Sequence, residues 1–270
     1  MTRHHLPAKP GTVRWGHWDG SLPPVLAIRS GETVTIDTLS GEPEDLPDAT
    51  SGFTVIPGHR EVLDAGYVGP GPHFLTGPIA IEGARPGDVL EVRIRDIELR
   101  QDWGWNLQVP LRGTLPEDFP ELRRLHVPLD RKNNLARMPW GQDLALEPFF
   151  GNFGVAPPLH WGRLSSKEPR VFGGNMDNKE LGAGTTTYFP VFVDGALFSA
   201  GDGHALQGGL PDRHRDRAHR HVRVHRAHRH EARAPARGDT RCLDHDGLRR
   251  GPGRRGEAGA ARHEIGRAHV

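Results

Sequence analysis

Gly173–Gly209 reads GGNMDNKELGAGTTTYFPVFVDGALFSAGDGHALQGG. Two polar, glycine-rich turns, GGNMD and GDGHALQG, bracket two apolar strand-like runs. The runs are TTTYFPVFV and ALFSAG, and they meet at Asp194-Gly195. Asp-Gly between such runs is the strongest short-range hairpin signal, because a type I′ turn needs positive φ at both central residues. A hairpin brings its ends together. Asn175 and Asp177 before it, and Asp202, His204 and Gln207 after it, are therefore expected near one another at one end of a sheet. Carboxylates, a histidine and carboxamides converging on glycine-rich backbone read as a site.

Outward from this stretch the chain keeps a β rhythm, with short β-branched runs separated by Pro/Gly turns. VLAIRSGETVTIDTL (Val25–Leu39) predicts two strands around Ser30-Gly31. GPIAIEGARPGDVLEVRIRDIEL (Gly77–Leu99) repeats the logic around Pro86-Gly87-Asp88. Leu90, Val92 and Ile94 alternate with Glu91 and Arg93, the pattern of a strand with one wet face. Residues 40–72 carry loop signals. DWGWN, MPWGQD and EPFFGNFGVAPP, within 100–170, supply aromatics of the kind that plug cores. The nearest approach to a helix is Asp118–Arg124. The expected fold is mainly β with a smaller α+β part in the C-terminal third, arranged as a β-sandwich or jelly roll.

HWDGSLPPVL, HFLTGPIAIEGARPGDVLEV, GGNMD and TTYFPVFVDGALFSAGDGHALQG, in this order, resemble the acetamidase/formamidase family from about His17 to Gly209. The resemblance implies an amidohydrolase that converts a short amide such as formamide or acetamide to a carboxylate and ammonia, working as a homo-oligomer. It departs where family members continue GDGHAxQGDGE; here the chain gives GDGHALQGGLPD, and an acidic residue is missing.

The sequence changes character at that point. Leu210–Val270 holds 16 Arg, 9 His and 8 acidic residues but no Phe, Trp, Tyr or Lys. Its formal charge is +8, against −7 for residues 1–209, so the basic balance of the whole chain belongs to the tail. Clustered Arg is one signature of a nucleic-acid arm. A shifted reading frame accounts for the tail better, and no nucleic-acid partner is expected. Moved by one nucleotide, allowed codons for DRHRDRAHRHVRVH (Asp212–His225) read TAIETALTGTFEF, with apolar periodicity restored. DHDGLRRGPGRRGE (Asp244–Glu257) can be re-read as ITMGFDEDLDDAAK, and the closing IGRAHV can be encoded by a sequence that resembles an adapter read-through. The chain is thus read as two parts. Residues 1–209 form an amidase-like core, incomplete on its C-terminal side, and 210–270 form an artefactual, disordered tail. As written, the chain is expected to fold poorly or lack activity.

Residues 1–209 are long enough for a sizeable core. The chain has no apolar run near twenty residues, and MTRHHLPAKPG has no apolar h-region, so a cytoplasmic protein without a membrane partner is expected. Cys242 is the sole cysteine and lies in the tail, which removes thiol nucleophiles and disulfides from the core.

Amide hydrolysis needs a strong nucleophile and a stabilised oxyanion, and a metal ion supplies both. Without Cys its ligands are His and Asp, and zinc or calcium is the expected cofactor. The metal set is Asp202, His204, Asp177 and His17. Asp202 and His204 are i and i+2, so an extended strand points both to one side; Asp202 reads equally as a turn residue bonding its own backbone. His73, at a strand entrance after Gly71-Pro72, is a candidate general base because an imidazole titrates near neutrality. Asp177 and His204 join it as catalytic candidates. Gly174, Asn175 and Gln207 are the substrate-binding candidates, the glycine because bare backbone approaches an oxyanion closely. Asp19-Gly20 also reads as a plain turn. The competing function is a non-catalytic β-sandwich that binds a small ligand.

Overall fold

The computed structural model describes residues 2–66, 69–112 and 115–207, together with the backbone of 222–227 and 268–269. The N-terminal strands are β1 (Arg3–Leu6), β2 (Val13–Trp15), β3 (His17–Trp18), β4 (Leu26–Ile28), β5 (Thr33–Ile36), β6 (Phe74–Ile81) and β7 (Val89–Ile94). The middle of the chain contributes β8 (Trp103–Gln108), β9 (Arg123–Asp130), β10 (Leu135–Arg137), β11 (Asp143–Ala145), β12 (Phe149–Gly154) and β13 (Leu164–Ser165). The last strands are β14 (Gly173–Asn175), β15 (Thr186–Pro190), β16 (Phe198–Leu206), β17 (Val222–Ala227) and β18 (Ala268–His269).

Two main sheets result. The smaller has the order β1-β5-β17-β7-β15. The larger runs β11-β10-β9-β8-β18-β16-β12-β14, with β6 joining β16 and carrying β2 and β4. Leu90, Val92, Ile94 and Phe189 of the smaller sheet pack with Leu75, Ile79, Ile81, Phe153 and Phe198 of the larger in one buried cluster. This is the β-sandwich expected from the sequence. The alternation in β7 also holds: Leu90, Val92 and Ile94 are buried while Val89 and Arg93 are exposed.

The Asp194-Gly195 hairpin does not form. β15 pairs antiparallel with β7, whereas β16 lies in the other sheet between β12 and β6. The turn is an arch from one sheet to the other. Gly195, Ala196 and Leu197 have φ of 77°, 58° and 54°. A two-residue I′ turn needs two such residues and no more. Gly195 is fastened elsewhere: its N–H donates to Ala84 O at 2.8 Å, and its carbonyl accepts from Ile81 N–H at 2.9 Å. The turns at Ser30-Gly31 and Pro86–Asp88 behave the same way. Each leads out of the larger sheet, through β4 or β6, into the smaller one, through β5 or β7.

Helix placement also differs from the reading. The α-helix among the described residues, α1 (Pro57–Asp64), lies in the segment read as loop. Proline at N1 fixes the first φ, and His59 and Val62, one turn apart, are the face it buries. Asp118–Arg124 is not helical: its last two residues open β9. The tail expected to be disordered lies outside the described residues except for β17 and β18. The first pairs with β5 and β7, the second with β16 and β8.

Candidate active site

β16 is nearly all buried along FSAGDGHAL. A strand with both faces covered and a neighbour on each edge is a rigid platform. Register with β12 places Phe149 opposite His204, Phe150 opposite Gly203 and Asn152 opposite Gly201, so Gly151 falls opposite Asp202. Cross-strand residues share a face, and the Phe149 ring lies 4.6 Å, centroid to centroid, from the imidazole of His204. On the far edge of β12, β14 sets Asn175 opposite Asn152. The chain then bends back, and the Asp177 N–H donates to Gly151 O at 3.0 Å.

Asp177, Asp202 and His204 thereby converge, with one ligand atom of each inside 4.8 Å of the others. His204 Nε2 stands 3.4 Å from both Asp177 Oδ1 and Asp202 Oδ2. Gly151 leaves the room: a Cβ there would sit 2.6 Å from Asp202 Oδ2, 2.6 Å from His204 Nε2 and 2.9 Å from Asp177 Oδ1. Both carboxylate residues have left-handed backbone, φ 45° at Asp177 and 52° at Asp202. Outside glycine this conformation costs about 1–3 kcal/mol and gathers at working sites.

His73 joins the group from the start of β6. Its Nε2 is 3.6 Å from Asp202 Oδ2, and its Nδ1 is 3.0 Å from Ser166 Oγ. The His73 backbone N–H donates to the same hydroxyl oxygen at 3.2 Å, so Ser166 grips the residue at two points. Ser166 is fully buried, and its carbonyl accepts from Asn152 Nδ2 at 2.7 Å. Asn175 Nδ2 donates to Lys167 O at 3.2 Å and faces Asp177 Oδ2 at 3.3 Å. A cavity of about 230 Å³ opens beside His204, walled by Val34, Ile36, Leu39, Ile56 and Phe150.

Of the residues expected from the sequence, His73, Asn175, Asp177, Asp202 and His204 are thus brought together. Gly174 sits in β14 at φ 92°, and a Cβ there would meet Glu168 O at 3.2 Å, so close backbone packing accounts for the glycine. Gln207 follows the last residue of β16, and no hydrogen bond ties it to the cluster among the described residues. His17 lies apart from the Asp-Asp-His group. Its Nδ1–H donates to Trp15 O at 3.0 Å, and it lines a separate small cavity with Arg14, Asp19 and Ser199. Burial lowers its pKa, against the opposing pull of that hydrogen bond. Asp19 makes the turn anticipated for it, accepting from Ser21 N–H and Ser21 Oγ–H.

Sequence reasoning missed Gly151, Asn152 and Ser166. The first two stand in EPFFGNFGVAPP, whose phenylalanines do fill the core: Phe149, Phe150 and Phe153 are all buried. The signal was a small residue and a carboxamide set between those rings.

Comparison with known proteins agrees with this architecture. The formamidase of Methylophilus methylotrophus is 28% identical over 242 residues, an alignment covering 71% of this chain and 57% of the relative. The acetamidase of Mycolicibacterium smegmatis is 28% identical over 194 residues, covering 50% of this chain and 48% of its own length. The chain therefore spans only about half the length of these relatives. Among solved structures, a predicted acetamidase/formamidase from the thermophile Thermoanaerobacter tengcongensis superposes with a TM-score of 0.65 at 25% identity, covering 83% of this chain and 69% of that one. An acetamidase from Bacillus halodurans gives 0.64 at 27% identity, with 82% and 70% covered. The sequence profile of one family matches residues 7–161 and 164–210, a span that includes every residue of the cluster; on that match the chain belongs to the acetamidase/formamidase family.

Proposed function

We propose that this protein is an amidohydrolase that cleaves the C–N bond of a short primary amide, giving a carboxylate and ammonia, with a divalent metal ion held by Asp177, Asp202 and His204. The observation that carries the reading is the convergence of these three side chains around the gap left by Gly151. Four ligands around an ion with bonds of ~2.1 Å define a tetrahedron of edge about 3.4 Å. The two His204–carboxylate separations of 3.4 Å match such an edge. One imidazole with two carboxylates suits zinc better than calcium, which takes 6–8 oxygens in typical sites. A bound ion of this kind supplies a Lewis acid that polarises the amide carbonyl and makes water a nucleophile near neutral pH.

The rest falls to the side chains. His73, held by Ser166, presents Nε2 on the Asp202 side of the cluster, where it takes a proton from the attacking water and returns it to the leaving nitrogen. The shifted-frame reading of 210–270 belongs to the same proposal. The family match ending at residue 210 supports it, and sequencing the gene tests it. Self-association is a further part, supported by the exposed apolar side chains of Leu111, Leu122, Leu159 and Val171 and tested by sedimentation.

The deciding assay is ammonia release from formamide and acetamide, by the chain as given and by the chain continued in the restored frame. Each is run before and after chelator treatment. From the restored-frame chain, turnover that chelator removes and zinc restores is the expected result; from the chain as given, little or none is expected. A folded restored-frame protein that releases no ammonia would leave a ligand-binding sandwich instead, and chelator-resistant turnover would sink the metal.

A further inference from the structure

We infer that Asn152 and Asn175 form a pair of acceptors that reads the –NH2 group of a primary amide. The inference rests on the amidase reading and deepens it. The two side chains are cross-strand partners in β12 and β14. Each directs Nδ2 at a backbone carbonyl of one short segment: Asn152 to Ser166 O at 2.7 Å, Asn175 to Lys167 O at 3.2 Å. A carbonyl oxygen only accepts, so both carboxamides have a fixed orientation, nitrogen toward 166–167 and oxygen away. Both Oδ1 atoms are buried and have no hydrogen-bond partner among the described residues.

One unmet buried acceptor is a cost that native proteins seldom carry, and two side by side call for a donor. Both asparagines are wired into the cluster. Asn175 touches Asp177, and Asp177 faces His204. His204 faces Asp202, and Asp202 faces His73. His73 is held by Ser166, and Ser166 by Asn152. The chain of contacts closes into a ring, and the bare Gly151 lets the three side chains of the cluster converge. The donor that belongs there has at least two N–H bonds at one nitrogen. A primary amide offers both, an N-methyl amide one, and an N,N-dimethyl amide none. Sites with a buried polar group left unpaired discriminate strongly against the analogue that fails to pair it.

The test measures formate release from formamide, N-methylformamide and N,N-dimethylformamide by the full chain and by its Asn152→Leu and Asn175→Leu variants. The melting temperature is read with acetamide or N,N-dimethylacetamide present. Two variants are used because Asn152 is fully buried and its replacement can prevent folding. The wild type is expected to favour formamide over the dimethyl amide on the order of a hundredfold or more in kcat/KM, and each variant to lose on the order of tenfold of that ratio through formamide. An unchanged ratio in the variants, or a wild type indifferent to N-substitution, overturns the inference. Silence toward every amide is what the altered tail predicts and leaves the hydrolase reading to the restored-frame chain; the melting data then decide the pair alone. Stronger stabilisation by acetamide, lost in the variants, upholds it. Equal or absent stabilisation overturns it.

Discussion

Replacing Gly151 with alanine is the sharpest test of the cluster. The added methyl would stand 2.6 Å from Asp202 Oδ2 and His204 Nε2 and 2.9 Å from Asp177 Oδ1. Non-bonded heavy atoms relax near ~3.5 Å, so each partner has to yield by roughly half an ångström or more. Two of the three cannot do so cheaply: Asp202 and His204 are buried on the central strand of the larger sheet. Overpacking of this kind costs about 1–3 kcal/mol, which in a chain of this size lowers Tm by about 2–12 °C. The effect on function is larger, because the methyl fills the space that all three ligand atoms face. Misplacement on the scale of 1 Å near reacting groups costs about a hundredfold in rate, so G151A is expected to lose at least that in kcat/KM for formamide and to bind less than one equivalent of zinc. Gly182→Ala is the control, since its Cβ would meet nothing nearer than Pro148 O at 3.5 Å. Kinetics, metal analysis and melting curves on the two variants suffice. A G151A protein with normal turnover and a full complement of zinc would refute the placement of the site.

Three further outcomes are expected. His59 is buried on α1, donates Nε2–H to Gly41 O at 2.8 Å, and has its pKa lowered chiefly by burial. The unfolded chain therefore takes up a proton below pH ~6.5 that the native state refuses, so stability is intact above that pH and falls below it by up to ~1.4 kcal/mol per pH unit; His59→Gln should flatten that part of the urea-unfolding profile. Arg124 Nε donates to Asp45 Oδ1 at 2.9 Å, and Asp45 is 3% exposed; Arg124→Met strands that carboxylate and should cost about 1–3 kcal/mol, discounted because the guanidinium is partly solvated, and a loss under 0.5 kcal/mol would contradict this (~0.5 being the usual surface effect). Asp177→Asn removes one of two like charges that meet at His204, so the metal-free protein should melt higher than wild type while zinc no longer stabilises it, which paired melting scans with and without zinc measure.

The convergence of Asp177, Asp202 and His204 was legible in the sequence, but the reason given for it was incorrect. A turn signal such as Asp194-Gly195 states that the chain reverses. It does not state whether the two runs pair edge to edge or face each other across a core. Burial decides that. β15 alternates exposed and buried positions, as a strand with one wet face does, while β16 is buried almost throughout and requires neighbours on both edges. The runs already differ in this way as TTTYFP and ALFSAG, so the arch was available to a reading that weighed the two faces of each strand. Ser30-Gly31 and Pro86–Asp88 carry the same ambiguity. Gly151, Asn152 and Ser166 were out of reach for another reason. They meet His73 and Asp202 through pairings that join distant segments, 93 residues apart for Ser166 and His73, and local periodicity contains no register for such contacts.

The arches also explain why the site can hold strained residues. Asp177 and Asp202 both sit at positive φ, where an L side chain is disfavoured, and Asp202 does so inside a strand. A lone hairpin would relax such a residue by slipping or bulging. β16 has no such freedom, because β12 fixes it from Phe149 to Gly154 along one edge and β6 fixes its first residues along the other. Its N-terminal end is fastened by the Gly195 hydrogen bonds to the Ile81–Ala84 turn. The sandwich thus supplies the rigidity, Gly151 the space, and the two left-handed aspartates the direction of their carboxylates toward His204.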